Sequence, residues 1–228
     1  MKAVILCGGL GERLRPLTER TPKVMLDVKG KPILEYTLEY LKKFGLKDII
    51  LLCGHKHEEI ENYFEDGSKF GVKIKYSIEK DKLGTAGAIK NAEKLIDTDF
   101  IIINGDVLTN FPLNELIAAF KKTNRNVMTL VKPNNPFGIA RISETEGKIC
   151  KIDEFVEKPK MKEWINAGYI VLKHPTLALF PEKGEAEKMV YPKLQEQGVL
   201  MGFLIGDKYF WKSVDSIKDL KELNAGVA

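Results

Sequence analysis

The stretch Cys7-Gly8-Gly9-Leu10-Gly11-Glu12-Arg13-Leu14-Arg15-Pro16-Leu17-Thr18 follows a short apolar run at residues 3–6 and precedes Thr21-Pro22-Lys23. The apolar run predicts a buried β-strand that ends where the glycines begin. Three glycines within four residues let the backbone approach a bound group and direct its N–H groups at phosphate oxygens. Arginine and lysine side chains follow at once, so the segment predicts a site for a polyphosphate.

Two common phosphate-binding motifs do not fit this segment. The dinucleotide-binding fingerprint requires a third glycine where the loop enters its helix, and that position is Leu14. A Walker A loop ends in Gly-Lys-Ser/Thr, whereas Gly11 is followed by Glu12-Arg13-Leu14. The loop also continues into Arg15-Pro16 rather than into a long helix.

The composition predicts one large α/β domain. The chain has 228 residues, of which 44% are hydrophobic and 30% charged, and we expect a single catalytic domain over residues 1–228. A net charge of +4, from 36 basic and 32 acidic residues, suits a small anionic substrate. No long basic run or basic–aromatic patch predicts nucleic-acid binding.

Cysteine usage and hydropathy predict a cytoplasmic location. Cys7, Cys53 and Cys150 are far apart and odd in number, so we expect buried free thiols in a reducing compartment. We see no signal peptide and no apolar run of membrane-spanning length. The three histidines are expected to be structural or surface residues.

Strand and helix patterns alternate through the first half of the chain. This alternation predicts a Rossmann-like, mostly parallel mixed sheet with helices on both faces. Strands are predicted at 3–6, 49–53, 72–77 and 100–103, then 127–131, 139–142, 149–155 and 169–172. Helices are predicted at 32–44, 58–64, 85–95 with Thr85 as its cap, 112–122 and 185–195, with a last helix opened by Ser216 and capped with Asp219.

Asp106 is the first candidate metal ligand. It follows the strand at 100–103 in the sequence Asn104-Gly105-Asp106, and ligands of open α/β sheets gather beyond the carboxyl ends of strands. Mg²⁺ prefers one or two carboxylates together with substrate phosphates. Asp106 is therefore a candidate for holding Mg²⁺.

The glycine loop resembles the signature of the sugar-nucleotide pyrophosphorylases, the nucleotidyltransferases that act on sugar 1-phosphates. That signature reads roughly Gly-Gly-x-Gly-Thr-Arg-Leu-x-Pro-Leu-Thr and then Pro-Lys, with Glu12 here in place of the usual threonine. The resemblance extends over nearly the whole chain and implies a GT-A-like nucleotidyltransferase fold. The hexapeptide repeats of the C-terminal β-helix that many members carry are absent, so we expect none here.

The resemblance assigns candidate residues to a nucleotide site. Its members use Leu-Gly-Thr-Ala-Gly, here residues 83–87, at the nucleobase. The implied nucleotide-binding residues are Leu6, Gly8, Gly9, Gly11, Glu12, Gly84 and Thr85. Arg13 would stabilise the leaving pyrophosphate, and Lys23 would neutralise charge near the α-phosphate.

A second set of residues is implied for the sugar 1-phosphate. Phe137-Gly138, Glu157-Lys158-Pro159 and Asn166-Ala167-Gly168 match the corresponding sugar motifs of the family. Gly138, Glu157 and Asn166 would contact the sugar, and Lys158 would hold its phosphate.

The last motif departs from the family pattern. Members end with Trp-x-Asp, whose aspartate is the second metal ligand, but this chain has Trp211-Lys212-Ser213-Val214-Asp215. In an extended segment Ser213 and Asp215 point to the same side, so Asp215 can replace the missing carboxylate. The alternative is that Asp215 belongs to the start of the following helix.

The resemblance implies that a sugar 1-phosphate attacks the α-phosphorus of a nucleoside triphosphate with Mg²⁺ as cofactor. GTP and mannose 1-phosphate are the preferred pair, with thymidylyl-, uridylyl-, heptose 1-phosphate guanylyl- and alcohol-phosphate cytidylyltransferases as alternatives. A homodimer is plausible. Because Ser213 replaces a carboxylate, a non-catalytic regulatory paralogue that binds sugar nucleotide is the alternative from a different class.

Overall fold

Strands and helices alternate in the computed structural model, which describes residues 1–226. The strands are β1 Lys2–Leu6, β2 Asp27–Val28, β3 Lys31–Pro32, β4 Asp48–Cys53, β5 Lys73–Ile78, β6 Phe100–Asn104, β7 Val107–Thr109, β8 Asn126–Val131, β9 Ile139–Glu146, β10 Ile149–Val156, β11 Ile165–Leu172, β12 Leu200–Leu204 and β13 Trp211–Ser213. The helices are α1 Ile33–Lys43, α2 His57–Phe64, α3 Gly84–Asn91, α4 Leu113–Thr123, α5 Ala186–Met189, α6 Tyr191–Glu196 and α7 Ile217–Asn224. Residues 227 and 228 of the predicted domain lie outside the described residues.

The central sheet has seven strands in the order β12-β8-β11-β6-β1-β4-β5. The pairs β1–β4, β1–β6, β4–β5 and β12–β8 are parallel, and only β11 runs antiparallel to its two neighbours. The predicted mostly parallel mixed sheet is therefore confirmed. Because β1, β4 and β6 are parallel, the loops that follow them emerge at the same edge of the sheet.

Helices cover both faces of this sheet, as predicted. One apolar cluster joins the sheet to α1, α2 and α4, and the other joins its opposite face to α3, α5 and α6. The central strands are buried on both sides, which explains why their sequences are continuous apolar runs without alternation. No helix of residues 1–226 has both the length and the apolar character needed to cross a bilayer.

Several element predictions need correction. The helix predicted at 85–95 begins at Gly84, ends at Asn91 and is followed by a separate 3₁₀ turn, Glu93–Leu95. The helix predicted at 185–195 is two short helices, α5 and α6, because Pro192 stands in the first turn of the second one. Strands β12 and β13 were not predicted, since β12 is half exposed and β13 has only three residues.

The cysteines are free, and two of the three are buried as predicted. Cys7 and Cys53 belong to the core, whereas Cys150 is only partly buried. The thiols of Cys7 and Cys53 interact, and this hydrogen bond together with burial raises the pKa of Cys7. Cys7 therefore remains a neutral thiol at physiological pH.

Candidate active site

A cavity of about 1030 Å³ opens at the carboxyl edge of β1, β4 and β6. Its walls are the glycine loop after β1, the loop after β4, the segment between β5 and α3, and the end of β6. This is the edge where open α/β sheets bind ligands. Seven predicted site residues line the cavity: Leu6, Gly8, Gly9, Lys23, Gly84, Thr85 and Asp106.

Lys23 joins the two predicted metal ligands. Its Nζ lies 2.5 Å from Oδ2 of Asp106 and 3.0 Å from Oδ1 of Asp215. Nη2 of Arg13 lies 2.7 Å from the same Asp215 oxygen. The Lys23 side chain is only 11% exposed, so these charges interact more strongly than a surface pair would. The structure thus brings Arg13, Lys23, Asp106 and Asp215 into one cluster.

A short two-stranded ladder carries Asp215 to this cluster. Strand β13 pairs antiparallel with β7, with Ser213 opposite Val107. One residue later, the Val214 N–H donates to the Asp106 carbonyl over 2.9 Å. The backbone around Asp215 is therefore fixed to the backbone that immediately follows β6.

The position of Asp215 agrees in part with each of the two expectations, replacement of the carboxylate missing at Ser213 and participation in the start of α7. The hydroxyl of Ser213 donates to Oδ2 of Asp215 over 2.7 Å, so the two side chains do point to the same side. Asp215 stands directly before Ser216, the N-cap of α7. Capping is done by Ser216 and Asp219, which bond reciprocally as predicted, and the Asp215 carboxylate is left to face Lys23 and Arg13.

The surroundings of Asp215 keep its carboxylate ionised. Partial burial raises the pKa of Asp215, but the hydrogen bonds from Ser213 and Lys23 and the charges of Lys23 and Arg13 outweigh it. The pKa of Asp215 is therefore below its ordinary value. A carboxylate in this state is an acceptor for cations at neutral pH.

The glycine loop divides into a part on the cavity and a part beside it. Gly8 and Gly9 line the cavity, whereas Gly11 and Glu12 do not. Gly11 has φ +61°, and a Cβ there would lie 2.7 Å from Cγ2 of Thr18. The loop continues into a 3₁₀ turn, Glu12–Leu14, rather than a long helix, which agrees with the rejection of the Walker A reading.

Gly84 and Thr85 contact another part of the chain as well as the cavity. Gly84 has φ +77°, and a Cβ on it would lie 2.5 Å from the carbonyl oxygen of Gly184. The prediction that Thr85 caps its own helix is wrong: its hydroxyl accepts from the N–H of Ala186 and donates to Glu187. Close packing against the start of α5 thus explains the small residues in this segment.

Glu79 is one of the cavity residues that the sequence analysis did not identify. Its carboxylate is packed beside the glycine loop and the loop after β4, because a Cβ on Gly8 or Gly54 would lie 3.0 or 2.8 Å from Oε1. Oε2 accepts from the N–H of Leu83 over 3.1 Å. Burial raises the pKa of Glu79 despite this bond. The signal in the sequence was an acidic residue directly after β5, at the carboxyl edge of the sheet.

His55 is exposed, as a surface histidine is expected to be, and both His55 and His57 line the cavity. Nδ1 of His57 lies 3.0 Å from Oε2 of Glu61, one turn further along α2. His174 fits the prediction, since its Nε2 bonds to the Ile96 carbonyl.

The predicted sugar residues lie outside the cavity wall. Gly138 precedes β9, and Glu157 and Lys158 follow β10, so they meet at the base of the β9–β10 hairpin. Oε2 of Glu157 would lie 2.8 Å from a Cβ on Gly138, and Nζ of Lys158 lies 3.2 Å from Oε1 of Glu157. Lys158 is half exposed and is not in contact with the Lys23 cluster.

Asn166 belongs to a segment that packs against the end of β6. Its Oδ1 accepts from the N–H of Gly168 over 2.9 Å. Gly168 has φ +84°, and a Cβ there would lie 3.1 Å from the side chain of Asn104, at the end of β6. The Asn166-Ala167-Gly168 segment of β11 therefore packs against the end of the strand that leads to Asp106.

A model of the nucleotidyl transferase family matches residues 2–228. The chain belongs to the nucleotidyl transferase family. It is 36% identical over 96% of its length to a mannose-1-phosphate guanyltransferase of Yarrowia lipolytica, and it spans 62% of that protein. It is 37% identical over 86% of its length to the D-glycero-alpha-D-manno-heptose 1-phosphate guanylyltransferase of Campylobacter jejuni, and it spans 86% of that protein.

A solved structure has the same fold. HddC from Yersinia pseudotuberculosis, in a crystal structure complexed with GMP-PN, superimposes with a TM-score of 0.78 at 29% identity. The match covers 100% of this chain and 99% of that one. The resemblance predicted from the glycine loop and the predicted nucleotidyltransferase fold are therefore confirmed.

The carboxylates of this nucleotidyl transferase fit Mg²⁺ only when oxygen atoms of a substrate complete its coordination. Asp106 and Asp215 supply two carboxylates next to each other, which is the number that Mg²⁺ takes when phosphates complete its shell. Within residues 1–226, no group of three or more His, Cys, Asp or Glu side chains could hold a metal. The residues present thus fit a metal bound jointly by the protein and phosphate oxygens.

We predict that Gly84→Ala destabilises the protein by about 3 kcal/mol, because the added methyl group meets a backbone carbonyl at positive φ. Gly30→Ala is the matched control: its φ is +85°, but nothing lies within 4 Å of its Cβ. It should lose only the conformational part, about 1 kcal/mol. Urea unfolding measures both losses, and equal losses would contradict the packing role of Gly84.

Proposed function

We propose that this nucleotidyl transferase moves a nucleotidyl group from a nucleoside triphosphate to a sugar 1-phosphate, releasing pyrophosphate. The observation that carries the proposal is the cluster of Arg13, Lys23, Asp106 and Asp215, of which Lys23 and Asp106 line a cavity of about 1030 Å³. Ligand cavities usually measure about 300–1,000 Å³, so this one can hold a nucleotide with room beside it.

The reaction needs charge neutralisation and alignment more than proton transfer. A phosphate monoester dianion is already a nucleophile, so its attack on the α-phosphorus requires no general base. The rate then depends on holding the two substrates in line and on stabilising the charge that moves to pyrophosphate. Cations around the phosphates meet that requirement.

In the proposal, Lys23 and Arg13 neutralise charge on different parts of the triphosphate. Lys23, nearly buried on the cavity wall, neutralises charge near the α-phosphate. Arg13 is 76% exposed on its side chain and can turn from Asp215 to the leaving pyrophosphate. Mg²⁺ held by Asp106 and Asp215 would supply Lewis-acid stabilisation of the phosphate oxygens.

The sugar phosphate is proposed to bind at the base of the β9–β10 hairpin. Lys158 offers a point charge for the phosphate monoester, and Glu157 and Asn166 offer acceptors for hydroxyl groups. Gly138 leaves room beside Glu157 because it has no side chain. Asn166 lies in β11 two residues before Gly168, which packs against Asn104, and this contact brings the region toward Asp106.

Glu79 supports guanine as the base. A carboxylate only accepts hydrogen bonds. The Watson–Crick edge of guanine offers two adjacent donors, N1–H and N2–H₂, whereas the same edge of adenine, cytosine, uracil or thymine offers only one donor group. Glu79 has one oxygen bonded to the Leu83 N–H, and its carboxylate lies on the cavity beside Gly8. It therefore suits a guanine better than the other bases.

We propose GTP and mannose 1-phosphate as the substrates, with heptose 1-phosphate as the second candidate sugar. The first choice is supported by the similarity to the Yarrowia guanyltransferase, and the second by the similarity to the Campylobacter guanylyltransferase. The chain spans only 62% of the Yarrowia protein, so its substrates have to be measured directly.

The first prediction is pyrophosphate release that requires Mg²⁺, one triphosphate and one sugar 1-phosphate together. GTP with mannose 1-phosphate should be the best pair in a panel of five triphosphates against common sugar 1-phosphates, measured by coupled pyrophosphate detection. Release without any sugar phosphate is the background control. No release with any pair would contradict the transferase and favour the regulatory paralogue.

Glu79→Gln should lower kcat/KM for GTP by about 10–100-fold, because it replaces a charged acceptor with an amide that presents a donor to the base. The value for UTP should change little. Glu58→Gln is the matched control, since Glu58 is an exposed carboxylate on the same cavity. If the GTP-to-UTP ratio is unchanged in Glu79→Gln, Glu79 does not read the base.

Asp215→Asn should raise the Mg²⁺ concentration for half-maximal rate by about tenfold, since one of the two carboxylates is lost. Glu222→Gln is the control: its carboxylate lies on the same helix α7 and contacts Lys212 rather than Lys23. A titration of the rate with Mg²⁺ measures both. An unchanged Mg²⁺ requirement in Asp215→Asn would remove this residue from the metal site.

A further inference from the structure

Asp215 lies between two elements and belongs to neither of them. Strand β13 ends at Ser213, and α7 begins at Ile217 with Ser216 as its N-cap. We call residues 214–216 the β13–α7 connection. Within a paired strand, the ladder fixes the face to which each side chain points. A side chain in the connection has no ladder, so other bonds have to fix its direction.

Two successive backbone N–H groups of the connection are bonded. The N–H of Val214 donates to the Asp106 carbonyl over 2.9 Å. The next one, the N–H of Asp215, donates to Oδ2 of Asp219 over 3.1 Å. The peptide groups that lead into Asp215 are therefore held on one side by the segment after β6 and on the other side by the first turn of α7.

The bond from Asp215 to Asp219 departs from an ordinary capping box. In that motif, the side chain three residues after the cap returns to the N–H of the cap residue itself. The Ser216 hydroxyl does accept from the Asp219 N–H, over 3.2 Å, as the motif requires. The Asp219 carboxylate, however, accepts from the N–H of Asp215, one residue before the cap. This bond therefore acts on the residue that faces Lys23.

The carboxylate of Asp219 is itself fixed by two further contacts. Its Oδ2 also accepts from the Ser216 hydroxyl over 2.7 Å, and its Oδ1 lies 2.7 Å from Nζ of Lys212. Lys212 belongs to β13, and its Nζ also lies 2.8 Å from Oε2 of Glu222 on α7. The Asp219 side chain is only 20% exposed. One carboxylate thus joins β13, the connection and α7.

Both oxygens of the Asp215 carboxylate depend on its direction. Its Oδ1 lies 3.0 Å from Nζ of Lys23 and 2.7 Å from Nη2 of Arg13. Its Oδ2 accepts from the hydroxyl of Ser213 over 2.7 Å. A shift of the backbone at Asp215 would change all three contacts together, so a group that holds this backbone also controls the contacts.

We propose that Asp219 is a positioning residue that orients the Asp215 carboxylate toward the Lys23 cluster, and that Lys212 holds Asp219 in place for this role. Asp215 stands two residues beyond Ser213, past the end of the β13–β7 ladder. The bond from Asp219 supplies the constraint that the ladder does not extend to this position. The consequence for metal binding rests on the proposed function, whereas the orientation of Asp215 does not.

Mn²⁺ binding to the full chain with GTP, measured by electron paramagnetic resonance without any sugar phosphate, tests the consequence for the metal. Mn²⁺ takes the same oxygen ligands as Mg²⁺. Asp219→Ala should raise the Kd for Mn²⁺ about tenfold, the usual effect of losing a group that orients a metal ligand. Asp219→Asn should raise it less, because an amide oxygen still accepts from the Asp215 N–H.

Two control variants separate positioning from helix capping. Ser216→Ala removes the cap hydroxyl and should lower the unfolding temperature, but it leaves the bond between Asp219 and the Asp215 N–H. Glu222→Gln removes the other partner of Lys212. Both controls should bind Mn²⁺ like the wild type. Equal weakening by Ser216→Ala and Asp219→Ala would overturn the proposal, because loss of the cap would then account for the effect.

A double-mutant cycle tests whether Asp219 acts through Asp215. Asp215→Asn removes the carboxylate that Asp219 orients, so adding Asp219→Ala to it should change the Kd for Mn²⁺ little. Losses that add in the double variant would overturn the proposal, since Asp219 would then act by another route. If Asp219→Ala does not fold, Asp219→Asn takes its place in the cycle with the same expectation.

A crystal structure of Asp219→Ala without nucleotide tests the orientation independently of any activity. The Asp215 carboxylate should lose its contact with Lys23 or with Arg13. Unchanged distances from Asp215 to both cations would overturn the positioning role. A wild type that releases no pyrophosphate with any pair of substrates would refute the proposed function instead, and the distances in the variant would still decide the positioning.

Discussion

The ammonium group of Lys23 holds together three distant parts of the chain. It bonds Asp106, 83 residues away, and Asp215, 192 residues away, and the second of these also pairs with Arg13. Two carboxylates this close would repel each other without a cation between them. Lys23 is the cation that contacts both carboxylates, so its charge connects the glycine loop side of the site to the end of β6 and to the segment after β13.

The backbone supports the same arrangement. The ladder between β7 and β13 and the bond from Val214 to the Asp106 carbonyl fix the two carboxylates to neighbouring strands. The capping box of α7 leaves the Asp215 side chain unused by the helix. Backbone pairing thus sets the distance between the carboxylates of Asp106 and Asp215. The charge of Lys23 offsets their electrostatic repulsion at that distance.

Glycines serve two different purposes around the cavity. Gly8 lets the carboxylate of Glu79 approach the glycine loop, so its absence of a side chain shapes the ligand site. Gly84 instead allows the backbone of α3 to meet the carbonyl of Gly184. One type of residue, in two motifs of similar appearance, contributes to ligand access in the first case and to packing of the chain in the second.

The sequence by itself determined the mostly parallel character of the sheet, the family and the part of the cavity formed by the glycine loop, Gly84, Thr85 and Asp106. Apolar runs that end in Gly-rich or Asn-Gly-Asp segments are local signals, and the parallel strands they predict must direct those segments to one edge. Glu79, the contacts of Thr85 and the pairing of Asp215 with Lys23 were decided only by tertiary structure. Each depends on residues about 70 to 200 positions away. In a single sequence each of these residues appears only as an isolated charged or polar side chain. The residue type does not indicate which distant segment will contact it.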